Sequence, residues 1–438
     1  MKVSPARKAA YDILLKIEAE KAFSSVLLPK YAENLQERDR SLLYALVLGV
    51  LRRQLLLDRY IKELTKGKKL DTEVILILRL GLFQIMFMTK IPGHSIVNEA
   101  VLLTGTARKS SAKGLVNAVL RNALRKLPEL SYTDDIERLS IEGSMPEWLV
   151  RRWIDQFGIE KTTSIINAFN EPPVTAFRLT RKALLSAERR EGITQAVLNE
   201  ASASEILPGA FTTPRITPDL RRLSDEGFIY FQDIGSQMIA STVSLKAHQS
   251  FLDLCAAPGG KAAMAAAQSD KNAGIMVAAE LHGSRVRFLK QNCELQGAEN
   301  IRVVQLDAEH PLPFPERSFD VVLVDAPCSG TGTIGSNPEI RYFLESSDIY
   351  DLQRKQREIL HQASNVVKPG GRLLYSTCSL EREENEDLIR TFMTENDDFS
   401  LVSPNLPEIF LTVEGNGRIF PDTGPYEGFC IFELRRRN

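Results

Sequence analysis

The chain has 438 residues, 43% hydrophobic and 25% charged, the profile of a globular protein of about two or three domains. Five cysteines without a Cys-x-x-Cys spacing and five scattered histidines exclude a disulfide framework and a zinc site. The net charge of −1 conceals an asymmetry: residues 1–128 hold 23 Lys and Arg against 11 Asp and Glu, and the remainder 32 against 45. A basic module on an acidic body predicts a polyanionic partner.

The start, Met1-Lys2-Val3-Ser4-Pro5-Ala6-Arg7-Lys8, is basic, but no apolar core with a cleavage site follows it, so no secretory signal is expected. The apolar run 74–88 is interrupted by Arg79 and Gln84 and is too short to span a bilayer. A cytoplasmic protein is expected, with no membrane partner, and nothing demands more than a monomer.

Residues 1–128 read as all helix, with apolar residues at helical spacing in 9–17, 42–57, 74–88, 97–104 and 115–127. Asp39 and Ser41 are candidate caps of the second helix, and Pro92-Gly93 separates the third from the fourth. Basic residues collect at Arg52-Arg53, 66–69, Arg108-Lys109 and 121–126 without interleaved aromatics, a pattern for phosphate contact rather than base stacking. Residues 129–225 read as a linker and small α+β connecting region, with a helix from Pro146 to Phe157, core positions for Trp148 and Trp153, and an extended run 174–178.

From 226 to 438 the pattern becomes strand–helix alternation. Short apolar runs at 251–255, 275–280, 301–306, 319–324 and 372–375 are separated by helical segments such as 284–296 and 352–367. This predicts a mostly parallel sheet wrapped by helices.

In such sheets ligands bind beyond the carboxyl ends of the strands, and that is where the chemistry-bearing residues fall. The first strand ends in a small-residue turn, Cys255-Ala256-Ala257-Pro258-Gly259-Gly260-Lys261, then opens a helix, so backbone can approach a ligand closely. It is not a phosphate-binding P-loop, because no Gly stands five before Gly260 and Ala262 replaces the Mg-binding hydroxyl. Glu280, Asp307 and Asp325 each end a later strand, an arrangement suited to an adenosine-type cofactor. Gly330-Thr331-Gly332-Thr333-Ile334-Gly335 matches a dinucleotide fingerprint in letters, but Asn337-Pro338 follows where a helix is needed, so nicotinamide and flavin are rejected. Cys328 in Asp325-Ala326-Pro327-Cys328 and Cys378 in Ser376-Thr377-Cys378-Ser379 close two strand runs. One thiolate could attack an electron-poor ring carbon while the second serves the same reaction. The residues alone do not rank the two.

Two resemblances add to this reading. Arg7–Ala10, Arg38–Gly49, Arg79–Leu82 with Gln84, and Val116–Arg121 resemble the NusB-like RNA-binding domain, a helical bundle. The pieces 253–261, 325–332 and 376–380, with Glu384-Asn385-Glu386 and Gln232–Gln237, resemble the signature of S-adenosylmethionine-dependent RNA cytosine-5 methyltransferases of the bacterial RsmB/Sun/Fmu type, which act on 16S ribosomal RNA. The resemblance implies an all-α front domain over 1–128 and a Rossmann-like class I methyltransferase over 226–438. It implies S-adenosylmethionine, without metal, held by Cys255–Lys261, Glu280, Asp307 and Asp325. It also implies Cys378 as nucleophile and Cys328 as the residue assisting product release; in the mechanism expected from these roles, Asp325 hydrogen-bonds the cytosine ring edge near N3. 16S ribosomal RNA would be bound through the basic front domain and the methyltransferase cleft.

The chain departs from that pattern at Ala262, Met264, Glu280 (commonly Asp) and Gly335-Ser336, where a basic pair is common; Arg341 is the candidate substitute phosphate contact. Two other readings stay open: a cytosine-5 methyltransferase acting on transfer RNA or another ribosomal position, and a non-catalytic RNA-binding or assembly factor.

Overall fold

A computed structural model describes residues 3–186 and 190–438. It divides into two compact units, Met1–Pro172 with Ile334–Leu344, and Pro173–Thr333 with Glu345–Asn438. The region 129–225 is thus shared between them: helices Asp135–Gly143, Glu147–Phe157 and Ile159–Asn170 belong to the first unit, and its strands, with the helices among them, to the second.

The first unit is helical. Helix Pro5–Glu20 begins on a proline and buries Ala6, Ala9, Ala10, Ile13, Leu14 and Ile17, the i, i+3, i+4 stripe of a packed face. Helix Thr72–Phe87 is buried along Leu76–Gln84 and carries a cation in its middle. That cation, Arg79, is compensated by a fork of bonds to Asp58 (2.7 and 2.8 Å) and a third to Glu18 at 3.1 Å. Arg7 likewise donates to Gln84 Oε1 at 2.8 Å. The buried charges that mark the sequence here are internal ties.

Several local expectations are corrected. The segment 42–57 is not one helix: Glu37–Arg52 ends at Arg53, whose φ of −117° and ψ of 17° break the ladder before Gln54–Leu64 begins. Arg53 places its guanidinium 5.2 Å from the Phe87 ring centroid. Asp39 lies inside the first turn rather than capping it, and the Ser41 hydroxyl donates back to the Glu37 carbonyl. Helix Ser24–Ala32 carries no local signal in the sequence, because its N-terminal partner lies far away in the chain: Glu339 accepts from Ser24 N at 2.6 Å and from Ser24 Oγ at 3.1 Å. Trp153 is fully buried, whereas Trp148 is half-buried.

Arg341 does not offer its charge to phosphate. It is 0% exposed within the helical unit. Its Nη1 faces the carbonyl oxygens of Arg52, Gly143 and Ser144 and the Asn170 Oδ1, all within 3.2 Å. Arg52 is also withdrawn from the basic surface, donating to Gly335 O at 2.9 and 3.1 Å. Burial first, then the neighbouring Arg341 charge, pushes its pKa down to about 10.

The second unit holds two sheets. β1 (Thr175–Leu179), β2 (Ser202–Ala203), β3 (Ala210–Thr213) and β4 (Ile229–Phe231) form an antiparallel sheet in the order β2-β3-β1-β4. The larger sheet contains β5 (Phe251–Asp253), β6 (Met276–Glu280), β7 (Ile301–Gln305), β8 (Phe319–Asp325), β9 (Val367–Thr377), β10 (Phe399–Val402), β11 (Gly417–Ile419) and β12 (Phe429–Arg436). Its order is β10-β12-β9-β8-β5-β6-β7, with β11 on β12. β5 to β9 run parallel to one another, β12 pairs antiparallel with β9, and β10 and β11 pair antiparallel with β12. Alternate residues pack on opposite faces: Leu252, Val322, Leu373 and Tyr375 belong to one core, Phe251, Val321, Leu323 and Leu374 to another. Both faces are therefore covered, as the continuous apolar runs require. β9 is longer than the run 372–375 because a register shift opposite β8 absorbs the Pro369-Gly370-Gly371 bend.

Candidate active site

β6 and β7 lie on one side of β5, while β8 and β9 lie on the other. Such a reversal of chain order opens a crevice beyond the strand ends. A cleft of about 290 Å³ occurs there, lined by Cys255, Ala257, Glu280, Asp307, Asp325, Cys328 and Cys378, with Leu281, His282, Arg285, Leu306, Pro327 and Ile359 among its other walls.

The turn after β5 contributes in layers. Cys255 and Ala257 face the cleft, while Ala256 is buried beneath and donates its N–H to Ala279 O at 2.9 Å. The Pro258 carbonyl accepts from Asn292 Nδ2 at 2.8 Å, fastening the turn to helix Gly283–Leu295. Gly259 has φ +105°, a conformation that side-chain-bearing residues rarely adopt, so glycine is needed for the turn. Gly260 then starts helix Gly260–Gln268, in which Ala262 and Met264 are core residues.

Lys261 reaches back from that helix to Asp325, Nζ to Oδ2 2.6 Å, and the other Asp325 oxygen accepts from Ser376 Oγ at 2.8 Å. Burial disfavours the ammonium, but the Asp325 charge and hydrogen bond outweigh it and raise the Lys261 pKa above the ordinary lysine value. Glu280 accepts from His282 N at 3.0 Å, with Arg285 Nη1 3.5 Å from its second oxygen. Asp307 accepts from Glu309 N at 3.0 Å.

The two thiols meet: Cys328 Sγ and Cys378 Sγ are 3.2 Å apart. The hydrogen bond with Cys378, followed by burial, raises the Cys328 pKa well above that of a free thiol, so Cys328 is held protonated. Cys255 is also held protonated, by burial and by the surrounding Asp253, Asp325 and Glu280 carboxylates.

Asp253 carries no role in the sequence reading, yet it is 0% exposed and one of its oxygens lacks a hydrogen-bond partner. Burial, then the Asp325 charge, pushes its pKa up to about 7. A carboxylate closing the first strand of such a sheet was the available signal. The run from Gly330 to Gly335 is not a nucleotide loop but a support for Cys378. Gly332 N donates to Cys378 O at 2.9 Å, Gly428 N to Gly332 O at 2.8 Å, and Leu380 N to Thr331 Oγ1 at 2.9 Å. A Cβ on Gly332 would lie 2.3 Å from Gly428 O, so that glycine serves close backbone packing. Ile359, from helix Ser346–Val366, lines the cleft without any signal beyond helical periodicity.

A parallel sheet with this turn at its reversal point, carboxylates at successive strand ends and paired thiols defines an S-adenosylmethionine-dependent methyltransferase with a Rossmann-like fold. The 16S rRNA methyltransferase RsmB/F family matches residues 240–435, and the NusB family matches residues 4–125. The probable ribosomal RNA small subunit methyltransferase B of Bacillus subtilis (strain 168) is 32% identical over 450 residues, covering 100% of both chains. The ribosomal RNA small subunit methyltransferase B of Pasteurella multocida (strain Pm70) is 30% identical over 440 residues, covering 98% of this chain and 96% of its own. Among solved structures, PH0851 superposes with a TM-score of 0.82 at 26% identity over 100% of both chains. NSun6 from Pyrococcus horikoshii with SFG gives 0.58 at 20% identity over 67% of this chain and 98% of its own, a likeness of fold. The chain belongs to the RsmB family of methyltransferases, with a NusB-family helical front.

The residues present fit the cofactor. Glu280 and Asp307 offer acceptors for hydroxyl groups along one wall, and the side-chain-poor turn gives access to backbone. The carboxylates Glu280, Asp307 and Asp325 complement a cationic sulfonium ligand. Among the described residues, no group of three or more His, Cys, Asp and Glu side chains is placed to hold a metal ion, and no helix is long and apolar enough to cross a membrane.

Proposed function

We propose that the protein methylates C5 of a cytosine in 16S ribosomal RNA through a transient bond between Cys378 and C6 of the base. The observation that carries this reading is the thiol pair, 3.2 Å apart in the lining of the cleft that Asp325 also lines.

Cytosine C5 is a poor nucleophile, and addition of a thiolate at C6 turns the C5–C6 bond into an electron-rich enamine. Cys378 supplies that thiolate. Asp325, held by Lys261 and Ser376, hydrogen-bonds the ring edge near N3 by accepting from the exocyclic amino group, and the Lys261 ammonium behind it offsets the negative charge that the ring gains as the adduct forms. S-adenosylmethionine, held along Cys255–Lys261, Glu280 and Asp307, supplies an electrophilic methyl group. Water in the cleft takes the C5 proton, the C5–C6 double bond re-forms, and the Cys378 S–C6 bond breaks to release the Cys378 thiolate. Cys328 assists this phase, a role supported by its proton and its position against the departing sulfur. The base must be unpaired or flipped to reach the cleft. The basic front block, 1–128, supplies RNA affinity, the connecting region 129–225 joins it to the catalytic domain 226–438, and the protein acts as a monomer.

Bisulfite sequencing of total RNA from cells with and without the gene tests the reading. One 16S cytosine that becomes deaminated only in the deletion is the expected result. A transfer RNA or 23S cytosine would move the substrate, and unchanged protection everywhere would favour a non-catalytic assembly factor.

A further inference from the structure

Each thiol is followed by a serine: Cys328-Ser329 and Cys378-Ser379. Both serines converge on the buried carboxylate of Glu384. Oε1 accepts from Ser329 N at 2.9 Å and from Gln356 Nε2 at 2.9 Å, while Oε2 accepts from Ser329 Oγ and Ser379 Oγ. The two hydroxyl oxygens are themselves 3.0 Å apart. Gln356 Nε2 also donates to Pro327 O at 2.9 Å, so the residue before Cys328 is held by the same cluster. From the far side, the Tyr375 hydroxyl donates to the Glu384 carbonyl at 2.7 Å, and Asn385 Nδ2 donates to Ser379 O at 3.1 Å.

A carboxylate removed from water is costly unless donors replace its hydration. Here three of the four donors, Ser329 N, Ser329 Oγ and Ser379 Oγ, come from the residues that follow the thiols, and the fourth is Gln356 Nε2. The apolar core of the sheet does not need such a group, but two loops that must keep a fixed spacing do. We propose that Glu384 is a positioning residue that ties the Cys328 loop to the Cys378 loop and sets the separation of the two thiols for addition and release. The assignment rests on the two-thiol mechanism above. Burial raises the Glu384 pKa while the hydrogen bonds from Ser329, Ser379 and Gln356 pull it back, which is the balance of a carboxylate held by its donors.

The separation is measurable without methylation. In glutathione buffers, two neighbouring thiols and one glutathione disulfide give a protein disulfide and two reduced glutathiones, and the equilibrium reports the effective concentration of one thiol at the other. Mass spectrometry of peptides from the full-length protein isolates the Cys328–Cys378 pair from the other cysteines. Glu384→Ala is expected to lower that effective concentration at least tenfold and Glu384→Gln to lower it less, with S-adenosylmethionine affinity by calorimetry unchanged. The same variants should lose kcat about ten- to a hundredfold with little change in KM for RNA. If Glu384→Ala does not fold, Glu384→Gln and Ser379→Ala carry the measurement. A wild-type thiol equilibrium in the folded variants overturns the positioning role whatever their activity. A displaced equilibrium with wild-type turnover supports the tie and overturns the two-thiol mechanism.

Discussion

Asp325 stands directly opposite Ser376 in the parallel ladder of β8 and β9, and the serine hydroxyl donates to the aspartate across it. The thiols three and two residues further on therefore leave the sheet side by side. Register, rather than any local motif, makes a pair of cysteines fifty positions apart (378 − 328) into one site.

The two sulfurs should be separable by trapping. Cys378→Ala is expected to abolish methylation and to leave no covalent RNA–protein species. Cys328→Ala should still add to the base and accumulate an adduct that survives denaturing electrophoresis. The reverse pattern would exchange nucleophile and helper, and wild-type turnover in both would return them to the core as packing residues.

Glu280 tests the cofactor wall. Charge-assisted hydrogen bonds to hydroxyl groups are each worth about 1.5–3 kcal/mol, so Glu280→Ala should weaken S-adenosylmethionine by about one to two powers of ten. Unaltered affinity by calorimetry would make Glu280 a support for the His282 turn alone.

Asp253 predicts a pH signature in the cofactor-free protein. Its folded pKa of about 7 lies above the unfolded value of about 3.9. The protonated form therefore stabilises the fold fully below about pH 4, and that contribution is lost as pH rises through 7. Asp253→Asn keeps an acceptor for Cys255 N and cannot ionise, so its urea midpoint should gain on wild type between pH 5 and 8. The gain is bounded by about 1.4 kcal/mol per pH unit. A pH-independent difference would assign Asp253 an ordinary carboxylate.

The basic front predicts a divided outcome for its cationic side chains. Lys113, Arg121 and Arg125 are exposed along helix Lys113–Arg125, whereas Arg52 is buried. Each neutralised phosphate contact should reduce the slope of log affinity against log salt by about 0.7–0.9. Glutamine at the three exposed positions should therefore flatten the slope for RNA, measured by filter binding. Arg52→Gln should leave the slope intact and lower thermal stability instead.

The strands, the turn after β5 and the chemistry-bearing strand ends were legible because they depend on local apolar runs and small-residue turns. What escaped was decided by distant partners. Helix Ser24–Ala32 is completed by Glu339, and the charge of Arg341 is spent on carbonyl oxygens from three other segments. The break at Arg53 and the role of Gly332 beneath Cys378 likewise depend on what packs against them. Glu384 stood in a recognised signature, but its meaning required both serines in space.

The helical unit takes its last eleven residues, Ile334–Leu344, from a stretch of chain that begins 162 positions after Pro172 (334 − 172). At a synthesis rate of about 5–20 residues per second, that stretch emerges roughly 8–30 s after the rest of the unit. Until then the carbonyl oxygens that receive Arg341 and the helix end that receives Glu339 lack those partners. The helical unit is therefore synthesised ahead of most of the sheet but cannot finish folding until residues deep in the catalytic half have left the ribosome.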